Sequence, residues 1–193
     1  MSILTESEIR KELELWNIIV HDGVKRVTNP VTLKDQSIDV RLGQFLYIEN
    51  SKSWFKGWIN LLEEDYIARE WDFILAHTEE FIWTNARSYL VSQFFLKSTA
   101  WRLWIIHTHS WWGEIWFHNR WAMEFIVWKE ITLRHKQAIW QIIFQRVEGE
   151  TNNDDYSKKG NYQKTNNLDE LVKNWNRDMI LPWTKELKII NTI

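Results

Sequence analysis

The fold is decided by the stretch from residue 44 to residue 147, which contains short runs of aromatic and β-branched residues. The runs are QFLYIE (44–49), DFILAH (72–77), YLVSQFF (89–95), LWIIHTH (103–109), WAMEFIV (121–127) and AIWQIIFQRV (138–147). Runs of this length and composition, separated by polar residues, are typical of β-strands. Because no long helical periodicity interrupts them, the sequence favours a mainly β protein, a barrel or double-sheet jelly roll, over an α/β fold.

A short helix is predicted before these strands. Thr5 and Glu8 form a capping-box pattern, and Ile9 and Leu13 lie four residues apart on one helical face. The helix should end near residue 15, where β-branched residues begin. We interpret residues 21–43 as a mixed polar loop.

The C-terminal part of the sequence differs in composition from the strands. Residues 148–167 are polar and nearly devoid of aliphatic side chains, which indicates a flexible linker or a lid. The stretch 168–175 could add one last helical turn or two. We therefore expect a β domain with its N-terminal helix over residues 1–147, followed by a polar lid and tail over 148–193.

Composition excludes several classes of protein. The chain has 193 residues, enough for one domain, and it contains no cysteine, which excludes disulfides, thiolate zinc sites and cysteine nucleophiles. Its 24 basic and 26 acidic residues give a net charge of −2, so a bulk electrostatic nucleic-acid binder is not expected. No apolar run approaches the roughly 18 residues of a membrane helix. We expect a soluble, cytoplasmic protein without nucleic-acid or membrane partners.

The densest cluster of charged and hydroxyl side chains is KSTAWR, residues 97–102, directly after the strand that ends at Leu96. Lys97 offers a point charge, Arg102 a planar fork, and Ser98 and Thr99 two hydroxyls. Together with backbone N–H groups, these suit a polyanion such as a triphosphate. The alternative is a solvated turn.

Glu124 lies within an otherwise apolar strand, WAMEFIV. Partial burial of a carboxyl raises its pKa and suits it to proton transfer. The alternative is an edge-strand glutamate that faces water.

A third candidate combines His107 and His109, which alternate along one strand, with Glu114 and His118. Alternate residues share a face of a strand, so the two histidines could bind one metal ion, and the spacing resembles the first metal motif of cupins. We find no second cupin motif downstream. A structural role in packing or hydrogen bonding is the alternative.

Several motifs occur in one order along the chain. They are LTESEIRKEL (4–13), QSIDVRLG (36–43), FILAHTEE (73–80), KSTAWRLW (97–104), WGEIWFHNRWAME (112–124) and AIWQ (138–141). In this order they resemble motifs of the dCTP deaminase family of the trimeric dUTPase-like superfamily, over most of residues 3–163. The resemblance implies a dUTPase-like distorted β-barrel or jelly roll and hydrolytic deamination of dCTP to dUTP and ammonia, a step of pyrimidine deoxynucleotide metabolism.

The resemblance also implies roles for individual residues. Glu124 would be the general base, with Ser98 and Arg102 beside the attacking water and the phosphates. The implied substrate-binding residues are Lys97, Ser98, Thr99, Ala100, Trp101, Arg102, Glu114, Ala122, Met123, Glu124, Gln141, Tyr156 and Lys159. The triphosphate would arrive as its Mg²⁺ complex. No zinc is expected, since the zinc deaminases bind their metal through histidine and cysteine. The resemblance further implies a homotrimer with shared active sites.

Other functions stay open at this stage. A dUTPase, or a bifunctional enzyme that also cleaves the triphosphate, is one alternative, because Glu114 lies near the position of the acidic residue that activates water in dUTPases. A metal-dependent cupin-like enzyme with ligands His107, His109 and Glu114 belongs to a different class. A non-catalytic, aromatic-rich binding module is the third.

The sequence has 15 tryptophans and 6 glycines, whereas average usage would give roughly 13 glycines. Eight tryptophans stand where the sequences it resembles usually carry glycine or another small residue: Trp16, Trp71, Trp83, Trp101, Trp104, Trp111, Trp116 and Trp140. We hypothesise that the gene encodes glycine with UGA at these positions, and that UGA was translated as tryptophan. The alternative is a genuinely tryptophan-rich homologue.

Overall fold

The structure is a computed structural model that describes residues 2–21, 25–27, 33–50, 52–85, 88–107 and 111–149. Two helices are present in these ranges, α1 (Glu6–Glu14) and α2 (Ser98–Arg102). The strands are β1 (Ser2–Ile3), β2 (Ile18–His21), β3 (Leu33–Lys34), β4 (Ser37–Asn50), β5 (Lys56–Asn60), β6 (Tyr66–Ala68), β7 (Asp72–Thr84), β8 (Leu90–Leu96), β9 (Ile105–His107), β10 (Trp112–Gly113), β11 (Asn119–Val127), β12 (Ile131–Leu133) and β13 (Ala138–Arg146).

Among the described residues, eleven strands form one curled sheet, ordered β10-β8-β13-β4-β7-β11-β9 along its main path. Strand β4 is 14 residues long and joins the two halves of this sheet. Its first residues pair with β13, and its later residues pair with β7 and β5. A separate pair, β6 and β12, completes the described strands. The prediction of a mainly β protein is confirmed.

The inner face of the curled sheet buries a single large hydrophobic cluster. Its bulkiest fully buried side chains are aromatic, namely Trp140, Phe94, Phe125 and Phe144. Phe94 stacks on Trp140 with ring centroids 5.9 Å apart and planes 10° from parallel. Because the inward residues of neighbouring strands fill this interior, the outward residues are left to form the functional surfaces.

Helix α1 forms as the sequence predicts. The backbone N–H of Thr5 donates to Glu8 Oε2 at 2.9 Å, which completes the capping box. Ile9 and Leu13 are fully buried in the core and hold the helix against the sheet.

The prediction of a loop over residues 21–43 is wrong, because β3 and the first half of β4 lie within it. The polar letters in this segment alternate with apolar ones. Ile38, Val40 and Leu42 point into the core, and the intervening Ser37, Asp39 and Arg41 take the other face. A half-polar strand of this kind has period two, a pattern that the charges obscured. The predicted strand 103–109 is also shorter, since α2 precedes β9.

Five tryptophans adopt a positive φ, between 58° and 72°: Trp16, Trp54, Trp71, Trp104 and Trp116. A side chain with a Cβ disfavours this left-handed region, which glycine enters freely. Four of the five belong to the eight positions at which glycine is hypothesised, and Trp54 is an addition. Trp140 is unfavourable for a different reason. It is fully buried, and its indole N–H finds no acceptor in the described part of the chain. The backbone thus supports the glycine hypothesis at four of the eight positions.

The predicted lid and tail, including the possible helical turn at 168–175, lie outside the described residues apart from 148 and 149. Within the described ranges, neither helix is long and apolar enough to cross a membrane.

Candidate functional site

A cavity of about 760 Å³ opens between the end of β8, helix α2, β9 and β13. Ser98, Trp101 and Gln141 contribute to its wall, together with Phe95, His107 and Trp111. Three of the predicted substrate-binding residues, from two separate segments of the sequence, are thereby brought together.

The first turn of α2 sets the orientation of its side chains. Lys97 is extended (φ −67°, ψ 143°), and the chain then turns into the helix at Ser98. The backbone N–H of Trp101 donates to the carbonyl of Lys97 at 3.1 Å. Ala100 is buried in the core, so it anchors the turn, while Ser98 and Thr99 are exposed. Arg102 is exposed at the end of the helix.

Lys97 is held in place by a residue that sequence reasoning missed. Its ammonium pairs with Oδ2 of Asp39, a carboxylate that is only 6% exposed. Asp39 lies directly opposite Gln141 in the pairing of β4 with β13, and Gln141 lines the cavity. The segment QSIDVRLG carries the signal of a strand with an outward carboxylate, but its charged residues favour the prediction of a loop.

Glu124 lies on the outward face of β11. Burial alternates along this strand, so that Trp121, Met123, Phe125 and Val127 are buried while Ala122 and Glu124 are half-buried. Directly opposite Glu124 on β7 is Leu75, which packs with Tyr47 and Ala122 in a small apolar cluster outside the main core. This apolar surround raises the pKa of the Glu124 carboxyl above its ordinary value through burial.

The neighbourhood of Glu124 contains a second buried ionisable group. His77 pairs with Ala122 across the strands. Burial lowers the pKa of His77 to about 4, so its imidazole is neutral near pH 7. The nearest described contact of His77 with a cation is Arg120 Nη1, 3.4 Å from Nδ1.

The remaining predicted site residues are distributed as follows. Met123 has its side chain fully buried in the core, so only its main chain could meet a substrate. Glu114 is exposed in the turn after β10. Neither Glu124 nor Ala122 belongs to the described wall of the cavity. Tyr156 and Lys159 lie outside the described residues.

The predicted metal site is only partly described. His107 packs its ring edge-on against Phe94 at 5.5 Å and Trp140 at 6.1 Å, His118 lies against Trp83 at 4.1 Å, and His109 is outside the described residues. In the described ranges, no three acidic, histidine or cysteine side chains are grouped closely enough to hold a metal ion. His107 therefore has the packing contacts of the structural alternative.

Comparisons with known proteins agree with the architecture. A family model described as dCTP deaminase-like matches residues 3–147, so the chain belongs to the dCTP deaminase-like family. A search of the curated proteins found no match.

Among solved structures, the 2′-deoxycytidine 5′-triphosphate deaminase of Agrobacterium tumefaciens is similar with a TM-score of 0.58 and 15% identity, over 78% of this chain and 50% of that chain. A dUTPase of phage 80alpha gives a TM-score of 0.46 at 8% identity, over 71% of this chain and 94% of that chain. The chain thus spans about half the length of the A. tumefaciens protein. The family model and the A. tumefaciens structure together confirm the predicted deaminase type of fold.

Proposed function

We propose, from this membership in the dCTP deaminase-like family, that the protein hydrolyses dCTP to dUTP and ammonia. The observation that carries the proposal is Glu124, a half-buried carboxylate in an apolar strand whose pKa burial raises. A carboxyl with a raised pKa can take a proton from water and release it again within one catalytic cycle. A solvated glutamate is a weaker base near pH 7, because its conjugate acid is too strong.

In the proposed reaction, water attacks C4 of the cytosine ring while N3 gains a proton. Glu124 accepts the first proton that water loses and passes it to N3. It then takes the second proton from the C4 hydroxyl of the tetrahedral intermediate and delivers it to the amino group, so that the C4–N bond breaks, ammonia leaves and the C4 carbonyl of uracil forms. Ser98 would hydrogen-bond the attacking water. Leu75, which lies opposite Glu124 on β7, is buried and would keep solvent from that side of the carboxylate, which strengthens its interaction with the developing charge.

The triphosphate would lie along the rim that α2 provides. Ser98 and Thr99 are exposed hydroxyls, Arg102 is an exposed guanidinium, and Gln141 offers an amide from β13. Asp39, the acidic residue beside Gln141, is paired through Oδ2 with the ammonium groups of Lys97 and Lys34, which disfavours a resident cation beside it. We therefore expect Mg²⁺ to enter with the triphosphate, and Tyr156 and Lys159 to belong to a covering segment.

A second subunit would complete the site. Glu124 lies on the outward face of β11, and the described wall of the cavity does not include it. We propose a homotrimer in which Glu124 of one copy meets the triphosphate-binding segment of another.

The test is an incubation with dCTP and Mg²⁺ in which ammonia is quantified while dUTP, dUMP and pyrophosphate are separated. We expect stoichiometric ammonia and dUTP. Absence of ammonia, from protein with native mass in solution, would overturn the proposal.

A dUTPase activity is the second candidate, and the exposure of Glu114 favours it. An exposed carboxylate near Trp111 of the cavity wall is free to orient a water for attack on a phosphorus atom. Running the incubation once with dCTP and once with dUTP separates the two, since dUMP and pyrophosphate would accumulate from dCTP in a bifunctional enzyme and only from dUTP in a dUTPase.

A further inference from the structure

Two lysines converge on one carboxylate oxygen at the edge of the candidate site. Lys97 pairs with Oδ2 of Asp39, and Nζ of Lys34 lies 3.5 Å from the same oxygen. The three side chains differ in exposure: 6% for Asp39, 20% for Lys97 and 67% for Lys34. A covered anion therefore has one cation beside it and a second that reaches into solvent.

The backbone fixes this arrangement from both sides. Lys34 pairs with Ser37 across the tight β3–β4 turn, and Ser37 and Asp39 are alternate residues on the outward face of β4. On the other side, the N–H of Lys97 donates to the carbonyl of Ile139 at 2.9 Å, which attaches the lysine to β13. The two ammonium groups thus come from separate segments, and Asp39 is the contact they share.

The charge of the group suits an anion at its open side. Two ammonium groups that approach one another repel, and a shared carboxylate offsets this repulsion. The sum of the three charges is positive, and Gln141, which lines the cavity, lies opposite Asp39 in the pairing of β4 with β13. A polyphosphate presents the paired negative oxygens that two adjacent ammonium groups can bind.

We propose that Lys34 is a further triphosphate-binding residue and that Asp39 is a positioning residue, which holds Lys34 and Lys97 side by side for the phosphates. This proposal rests on the proposed function, because it assigns residues to the triphosphate of the same substrate. It concerns Lys34 and Asp39, for which the sequence patterns predict no role.

The two possible roles of Asp39 predict opposite effects of Asp39→Asn on the affinity for a polyanion. If Asp39 only neutralises the lysines, Asp39→Asn leaves a more positive rim and tightens the binding of a polyanion. If Asp39 positions them, the same change releases Lys97 and Lys34 and weakens binding. The sign of the effect therefore decides between electrostatic competition and positioning.

The experiment measures KM and kcat for dCTP by ammonia release, and Kd for inorganic triphosphate by calorimetry at two salt concentrations. For Lys34→Ala we expect KM and Kd to rise about threefold to tenfold, as for loss of an exposed ion pair, with a weaker salt dependence. For Asp39→Asn we expect a rise of about tenfold with kcat changed less than about twofold. Asp39→Glu should restore most of the loss.

Lys52→Ala is the matched control, because Lys52 is an exposed lysine paired with a carboxylate, Glu70, away from the rim. The proposal is overturned if Lys34→Ala behaves as Lys52→Ala does, or if Asp39→Asn binds inorganic triphosphate as tightly as the unaltered protein or more tightly. Should Asp39→Asn fail to fold, the exposed Lys34 still tests the proposal. If the unaltered protein releases no ammonia but both variants lose affinity for inorganic triphosphate, the proposed reaction fails while the lysine assignment stands.

Discussion

Strand β11, which carries Glu124, and the segment 97–102 differ in how far their polar side chains are exposed to solvent. Glu124 is half-buried on β11, opposite the buried Leu75 of β7, whereas Ser98 and Arg102 are exposed on a short helix. The difference follows from the chemistry proposed for each. Burial removes water from a carboxyl and raises its pKa, which favours proton transfer. A triphosphate arrives from solvent, so the cations that bind it must be exposed.

The largest expected effect is a loss of kcat in Glu124→Gln, which should distinguish the strand of Glu124 from the segment 97–102. For Glu124→Gln, we expect kcat for ammonia release to fall by a factor of about 10² to 10⁴, since the general base is lost. The affinity for dCTP should stay within about threefold, because the phosphates bind elsewhere. Steady-state kinetics and calorimetry measure the two quantities.

Glu130→Gln is the control for this variant, because Glu130 is exposed just beyond the end of β11. It should leave both quantities unchanged. A Glu124→Gln protein that keeps its kcat would show that Glu124 does not transfer a proton in the reaction.

The next effect contrasts the two faces of β11. Met123→Ala should lower the free energy of unfolding by about 2–5 kcal/mol, because Met123 is fully buried in the core. Ile126→Ala, a half-buried residue on the outward face, should cost about 1 kcal/mol. Urea unfolding followed by circular dichroism measures both, and equal losses would contradict the alternation of faces.

A smaller effect tests the backbone outside both regions. Trp54 is 90% exposed with φ 58°, so Trp54→Gly should raise the free energy of unfolding by about 1 kcal/mol through relief of left-handed strain. Trp58 is 41% exposed within β5, and Trp58→Gly should lower it by about 1 kcal/mol. A loss of stability in both would count against the glycine hypothesis, and UGG codons at the eight positions would end it.

The smallest expected effect is the change with pH in the contribution of Glu124 to the free energy of unfolding. Because the pKa of Glu124 is raised in the folded state, folded protein binds more protons than unfolded protein between the ordinary and the raised pKa. Stability contributed by this carboxyl is therefore present at low pH and lost as pH rises through that interval. Urea midpoints of the unaltered protein, relative to Glu124→Gln, should decline with pH there, and kcat/KM should rise. Parallel midpoints would mean that Glu124 is solvated.

Sequence reasoning succeeded where pattern and chemistry agree. The apolar runs at 72–77, 89–95 and 121–127 are strands, and the capping box of Thr5 is formed. The partial burial of Glu124 also followed from its apolar neighbours, because an alternating strand that borders a core leaves even its outward residues partly covered.

What the sequence concealed depended on tertiary contacts. Asp39 looked like a loop residue, since only the pairing of β4 with β13 shows that its carboxylate lies beside Gln141. Lys34 carried no signal, because an exposed lysine is ordinary until the pairing of β3 with β4 places the Asp39 carboxylate 3.5 Å from it. Local pattern predicts elements, whereas ion pairs between elements follow from register, which one-dimensional periodicity does not contain.

Buried and half-buried residues alternate along β11 from Asn119 to Val127, so the position of a residue in this strand decides which face its side chain takes. From Ala122 to Ile126 the pairing with β7 has no register shift, so adding one residue directly after Ala122 would turn the carboxylate of Glu124 into the hydrophobic core and the thioether of Met123 outward. The chain would then keep almost every amino acid it has and lose its chemistry. Over this short strand, natural variants should therefore exchange side chains far more readily than they change its length.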